Sequence, residues 1–329
     1  MSQTLTTAPV AKAAPVADWK GRFLAALPFI VLVLLVLIVT SKQPNFVALG
    51  SVRGLLESMA PILLLALGQT FVILTGGIDL SFAATASFGS VLLALWLPEL
   101  GVVGVVAVLG VMTLIGFING FVIAKAQIPS FIATLGALGL YSGLGLAISG
   151  ASNIRISTGY EAIAWITDVR VAQLPLAAIL VIVLAILISV AMRVLNRGKS
   201  FHAIGLAEQA LLMSGGSTVR IRILAFTLCG LFSGLAAVML AASQHSGGPT
   251  LADTLQLPAI AAVVIGGTAI TGGVGGPIKT VIGALIIVVL RVGLTAVGVD
   301  PSFEQIVYGI VIIAAVVLTI DRSRLGVVK

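Results

Sequence analysis

Ten apolar runs, most of them close to one membrane crossing in length, dominate this sequence. They span residues 24–39, 59–75, 81–97, 102–123, 130–149, 174–192, 223–242, 258–270, 278–297 and 303–320. A hydrocarbon core about 30 Å thick takes around 20 residues of helix, so most of the runs are long enough to span or nearly span it, the eighth being short. The charged fraction is 9%, against roughly 25% in soluble domains, and the mean hydropathy is +1.23. These values exclude an ordinary soluble domain, a disordered chain and a nucleic-acid-binding module. The expected fold is all-α: a polytopic membrane protein of about ten transmembrane helices. Residues 1–18, rich in Ala, Thr and Pro, read as a flexible cytoplasmic tail, and 19–329 as one transmembrane domain. The first run follows Lys20 and Arg22 as a signal-peptide core would, but no small-residue cleavage site comes after it, so it reads as a retained helix. The lone cysteine, Cys229, excludes an intrachain disulfide and a cysteine-based zinc site.

The basic residues orient the chain. With the N-terminus in the cytoplasm, cytoplasmic segments carry thirteen: Lys12, Lys20, Arg22, Lys125, Arg193, Arg197, Lys199, Arg220, Arg222, Lys279, Arg322, Arg324 and Lys329. Outer segments carry four, Lys42, Arg53, Arg155 and Arg170, while Arg291 falls inside a span. The positive-inside rule therefore predicts ten spans with both termini cytoplasmic, and the surplus charge needs no nucleic acid. An outer loop, 150–173, carries Arg155, Glu161, Trp165, Asp168 and Arg170; a cytoplasmic loop occupies 193–222.

Intramembrane ionisable residues are few, chiefly Asp79 and Arg291. Each has a bland reading, Asp79 wet at a cytoplasmic end and Arg291 snorkelling to the interface. His202 and His245 fall in loops, where a histidine is usually solvated, and no cluster suits a metal. The stretch from Gly272 to Thr280 imitates a phosphate-binding loop. However, Ile278 stands where a glycine should precede the lysine, and Pro277 lacks an N–H. It reads as a glycine-rich turn. Glycine pairs one turn apart, Gly116/Gly120, Gly139/Gly143 and Gly230/Gly234, predict close helix packing.

Interrupted apolar stretches carry more information. Leu74-Thr75-Gly76-Gly77-Ile78-Asp79-Leu80-Ser81, Ile265-Gly266-Gly267-Thr268 and Thr271-Gly272-Gly273 predict broken helices. At membrane depth these are tolerated only beside protein or a water-filled cavity, and transporters use them to meet a solute. Gln69, Thr75, Asp79, Ser81, Asn119, Thr134 and Tyr141 are the polar groups expected nearest a central pathway. Pro129-Ser130-Phe131 opens the fifth run and Pro301-Ser302-Phe303 the tenth, as an inverted repeat of spans two to five on seven to ten would have it. In the cytoplasmic loop, 207–213 reads as a short helix stopped by Ser214-Gly215-Gly216. Ala207, Ala210 and Leu211 share one face by spacing, and Glu208 is the loop's one acid. Gly205 and Gly215 are expected to need backbone angles that other residues resist. This is a segment suited to docking on a soluble partner.

At these residues the sequence resembles the ribose-type permease subunits of bacterial ABC sugar importers. The resemblance is carried by Gly68 to Ser81, by Ile128 to Gly136, by Ala203-Ile204-Gly205 with Glu208, Ala210, Ser214 and Gly215, and by Ala259 to Thr268. It implies a ten-helix permease in the bacterial inner membrane, paired with a second copy. A cytoplasmic ATP-binding subunit would hold ATP and Mg, this chain holding no cofactor and catalysing nothing. A periplasmic sugar-binding protein would deliver a monosaccharide or related polyol. Gly205, Ala207, Glu208, Ala210, Leu211, Ser214 and Gly215 would form the contact with the ATPase. The chain departs from the family pattern at Phe82 to Thr85, before Ala259 and at Pro277 to Thr280. These places bear on the solute. The rival readings are an ion-coupled secondary transporter of small polar solutes, which would need more buried carboxylates than Asp79, and an intramembrane enzyme, which would need paired catalytic residues.

Overall fold

A computed structural model describes residues 19–319, with side chains for 26–317. The segment 1–18 and the basic residues Arg322, Arg324 and Lys329 lie outside the described residues. Among those described there are twelve α-helices: α1 Trp19–Lys42, α2 Leu49–Leu74, α3 Phe82–Leu100, α4 Val102–Ala126, α5 Ser130–Ser149, α6 Glu161–Asp168, α7 Leu176–Val194, α8 Asn196–Met213, α9 Thr218–Gln244, α10 Gln256–Ile265, α11 Pro277–Ala296 and α12 Glu304–Thr319. Every apolar run is therefore helical. Seven helices (α2, α3, α4, α5, α7, α9 and α11) are long and apolar enough to cross a membrane, while the apolar parts of α1, α10 and α12 are shorter. The eighth run stops early. Its helix ends at Ile265 because Gly267 turns left-handed, with the N–H groups of Gly267 and Thr268 bonded back to the carbonyls of Val264 and Val263. That double bond pattern is the Schellman stop.

The same stop closes α2 at Thr75-Gly76-Gly77, where Gly76 and Gly77 donate to Ile73 and Val72. It also closes α8 at Ser214-Gly215-Gly216, where Gly215 and Gly216 donate to Leu212 and Leu211. The glycine signals read from the sequence thus end three helices.

Helices α2 and α9 form the centre, antiparallel to each other, and the packing around them repeats. Helix α4 packs on α9 as α11 packs on α2; α3 lies on α9 as α10 lies on α2. Within each set α3 touches α4 and α5, as α10 touches α11 and α12. Exchanging α2–α5 with α9–α12 preserves these four pairings, and the two Pro-Ser-Phe sequences lie at the starts of the equivalent helices, at the first turn of α5 and just before α12. The expected inverted repeat is present as helix packing.

Two of the three glycine pairs do what their spacing predicts. A Cβ on Gly116 would overlap the Phe226 carbonyl, and one on Gly230 the Met112 carbonyl, so α4 and α9 meet backbone to backbone. Gly139 and Gly143 differ: a Cβ there would meet nothing, because that face of α5 points away from the rest of the described chain.

The loop 150–173 is structured. Ile154–Arg155 pairs with Ser246–Gly247, α6 follows, and Arg170–Val171 pairs with Leu174–Pro175. Beyond α9 the chain re-enters the bundle along α3. Ser90 Oγ accepts from Gly248 N–H at 3.1 Å, Ser87 Oγ accepts from Ala252 N–H at 2.9 Å, and Gln256 Nε2 donates to the Leu80 carbonyl at 3.2 Å. This descent places the start of α10 beside the start of α3, inside the bundle, a feature that hydropathy does not announce.

Candidate functional site: two cavities around a closed centre

The segment between α2 and α3 runs inward from the α2 stop to Ser81. There Asp79 Oδ1 accepts from both the N–H and the hydroxyl of Ser81, each at 2.7 Å. Ser81 Oγ accepts from Asn119 Nδ2 at 3.1 Å, and Asn119 Oδ1 accepts from the Tyr141 hydroxyl at 2.8 Å. One unidirectional chain of donors therefore crosses from α5 through α4 to the break, ending on a carboxylate. Asn119 lies seven residues from the end of α4, about 10 Å of helix, so the chain lies well inside the bundle. Asp79 is buried rather than wet at an end. Asp79 stands just before the α3 N-terminus, the end of a helix dipole that favours an anion.

The other expected pathway residues divide. Thr134 Oγ donates to the Ser130 carbonyl at 2.8 Å, and Ser130 Oγ accepts from Ile78 N–H at 3.0 Å, so the start of α5 fastens the middle of the break. Thr75 caps α2 and bonds back to the Val72 carbonyl. Gln69 stands apart from this network, fully buried on α2.

Two cavities lie at opposite ends of the bundle. One, of about 460 Å³, is at the α8 end between Thr75–Ile78, Gln127–Phe131, Arg222 and Phe226. The other, of about 680 Å³, is at the far end. It is lined by the first half of α2 (Glu57, Ser58), the end of α9 (Ser243, Gln244, His245), the re-entrant Thr254 and Leu255, Asp168 and Arg170 from the loop 150–173, and Arg291. Of the seven expected pathway residues, Thr75 lines the smaller cavity and none lines the larger. Glu57, Ser58, Ser243, Gln244 and Thr254 were not singled out by the sequence reading. The available signal was a group of polar residues at the ends of two apolar helices. Arg291 reaches that end as snorkelling requires, and its Nε pairs with Glu304 of α12 at 3.2 Å. His245 is not simply solvated: it stacks on Tyr160 with ring centroids 4.3 Å apart.

At the α8 end, the α2 stop meets the α10–α11 turn. Gly273 N–H donates to the Leu74 carbonyl at 2.9 Å, satisfying one of the free carbonyls of α2. A Cβ on Gly205 would overlap both Gly273 N and the Leu74 carbonyl. Gly205 is thus required by close approach and not by its backbone angle; Gly215, at φ 81°, is the one that needs the left-handed region. Pro277 starts α11, confirming that the look-alike phosphate loop is a turn. His202 is half-buried, its Nε2 3.2 Å from the Gly275 carbonyl of that turn.

Helix α8 is longer than the expected 207–213 and is kinked at Ala207, which has non-helical angles. The kink takes Ala207 out of helical register with Ala210 and Leu211, and Leu211 packs partly inward, against Gly216. The exposed apolar tip instead comprises Leu206, Leu212 and Met213, the last 91% exposed, beside Ala207 and Ala210. Glu208 is paired within the chain, its Oε2 2.8 Å from Arg222 of α9.

Comparison with known proteins decides the family. Residues 51–316 match the family described as branched-chain amino acid transport system / permease component. The chain belongs to this permease family. It is 37% identical to a ribose import permease protein of Bacillus subtilis (strain 168) over 301 residues, covering 90% of this chain and 92% of that one. The ribose import permease protein of Escherichia coli (strain K12) is 33% identical, with 88% and 91% covered. A fructose import permease protein of Rhizobium meliloti is 32% identical, with 89% and 84% covered. No solved structure matches. The family is one of transport permease components, and this chain is a multi-pass membrane protein.

Proposed function

We propose that this permease forms the transmembrane pathway of an ATP-driven sugar importer and carries a monosaccharide or related polyol unaltered. The reading is carried by the match of about nine-tenths of the chain to import permeases named for two different sugars. In this reading the protein lies in a bacterial inner membrane with both termini cytoplasmic and works with a second copy. A separate cytoplasmic subunit holds ATP and Mg. A periplasmic sugar-binding protein delivers the solute to the larger cavity. The α8 segment from Gly205 to Gly215 docks on the ATPase, its apolar tip seated in a groove and its movement passed through Gly205 to the α2 stop and the α10–α11 turn. Two vestibules on either side of a closed, hydrogen-bonded centre support a gated path.

A second reading, ion-coupled transport, draws on Asp79, a buried carboxylate for which the described residues supply no salt-bridge partner. The test is uptake of labelled pentoses, hexoses, polyols and branched-chain amino acids into vesicles holding this chain with its co-purifying subunits. ATP-dependent uptake of a sugar or polyol, insensitive to ionophores, is expected. Uptake abolished by ionophores and indifferent to ATP would establish the second reading, and ATP-dependent uptake of amino acids alone would replace the solute.

A further inference from the structure

One polar side chain of the bundle lacks the partners that most others have: Gln69. Its side chain is fully buried, yet neither Nε2 nor Oε1 has a hydrogen-bond partner among the described residues. Buried amides are normally paired because the unpaired state is costly. Its neighbours fix where it points. Gly68 packs against Cys229 and Phe232 of α9, and Thr70 Oγ is 2.7 Å from Thr280 Oγ of α11. Successive helical residues are turned by about 100°, so Gln69 projects from the face of α2 that lies between those meeting α9 and α11.

The larger cavity, nearer the end of the bundle, is lined by Ser58 of α2 together with Ser243 of α9 and Arg291 of α11. Ser58, Ile62, Leu65 and Gln69 stand at i, i+4, i+7 and i+11, one stripe of α2. Ser58 lines the cavity, while Ile62 and Leu65 are buried. The stripe thus passes from a cavity-lining hydroxyl over two apolar side chains to an unpaired amide.

We infer that Ile62 and Leu65 form an apolar seal across the pathway and that Gln69, beneath it, is a solute-reading residue whose amide is paired only when the solute passes. This deepens the proposed function and rests on its assignment of the pathway. The chemistry names the solute class. A carboxamide presents an acceptor beside a donor, and adjacent hydroxyls answer both at once, so the partner is an uncharged polyhydroxyl compound.

The test compares Gln69→Leu and Gln69→Asn with the wild type, each purified with its partner subunits. For Gln69→Leu the thermal midpoint should be equal or higher, since an unpaired polar group is removed, while uptake falls at least tenfold. Gln69→Asn should restore part of the uptake with a raised KM. Wild-type uptake by Gln69→Leu would overturn the inference. So would a lowered midpoint for Gln69→Leu that Gln69→Asn restores, since it would give the amide a structural partner. A second arm needs no sugar: Leu65→Cys in a Cys229→Ala background should react with a small hydrophilic thiol reagent only when the assembly is supplied with ATP. If it stays inert throughout, the seal is lost as an idea. A wild type that carries no sugar but shows this ATP-dependent labelling would retain the seal and reject the solute.

Discussion

Tyr141 on α5 and Asn119 on α4 are joined by a 2.8 Å hydrogen bond in which the phenol donates, so the amide nitrogen of Asn119 is left to reach Ser81. The bond sets the orientation of the amide and, through it, the start of α3. Tyr141→Phe keeps the ring but leaves the buried Asn119 Oδ1 unpaired, a loss of about 1–3 kcal/mol. Denaturant unfolding in detergent should detect it, together with slower uptake. An unchanged unfolding midpoint would mean that the network has another donor.

The contact at Gly205 predicts a contrast between two glycines. Gly205→Ala drives a methyl group into the Leu74 carbonyl and the Gly273 amide, and neither backbone group has a side chain's freedom to move aside. Gly215→Ala meets open space and bears only left-handed strain, about 1–2 kcal/mol. Uptake should fall more than tenfold for the first and less than threefold for the second, with both inserted in the membrane at normal levels. Equal effects would show that backbone strain, and not close approach, is what matters at Gly205.

The Glu208–Arg222 pair is part-exposed on both sides, so it is worth little in stability, roughly 0–1 kcal/mol. Its expected role is to hold the second half of α8 against α9. Glu208→Lys should uncouple ATP hydrolysis from uptake, and Arg222→Glu should do the same. The double substitution, which restores an ion pair with its signs exchanged, should recover much of the coupling. A double variant no better than either single one would end this explanation.

Orientation is testable at Met213, the most exposed side chain of the α8 tip. The native thiol of Cys229 is buried, and Cys229→Ala removes it entirely. Met213→Cys in that background should be labelled by an impermeant reagent in inverted vesicles and spared in intact cells. The opposite pattern would reverse the predicted topology. Residue 205 is unsuitable for this labelling, because its backbone is in contact on two sides.

How much was legible follows from the kind of signal each feature leaves. Helix positions came from apolar runs, and helix ends at 75–77, 214–216 and 266–268 from glycines that only a left-handed turn explains. The α4–α9 contact was readable because Gly116 and Gly230 have no other evident purpose. Gly139 and Gly143 show the limit, since identical spacing on α5 faces away from the chain. The re-entrant path of 248–256 was hidden, because its anchors are hydroxyls of Ser87 and Ser90 that look like ordinary small residues of an apolar helix. The larger cavity was hidden for a related reason: its polar residues come from distant segments, and no local spacing unites Ser58, Thr254 and Arg291. The helix at 207–213 was anticipated, but the kink at Ala207 was not, because alanine is a strong helix former and only packing can bend the chain there.

At the meeting of Gly205, Leu74 and Gly273 the closest approach is between peptide groups. A side chain at such a junction would act as a spring, since it could change rotamer and absorb small movements. Peptide planes have no such compliance, and a hydrogen bond already ties two of them together. A displacement of α8 at Gly205 itself therefore bears directly on the end of α2 and on the α10–α11 turn. The joint thus fixes the Gly205 turn of α8 to both halves of the repeat at once, and the kink at Ala207 marks where the tip that ends at Met213 departs from it.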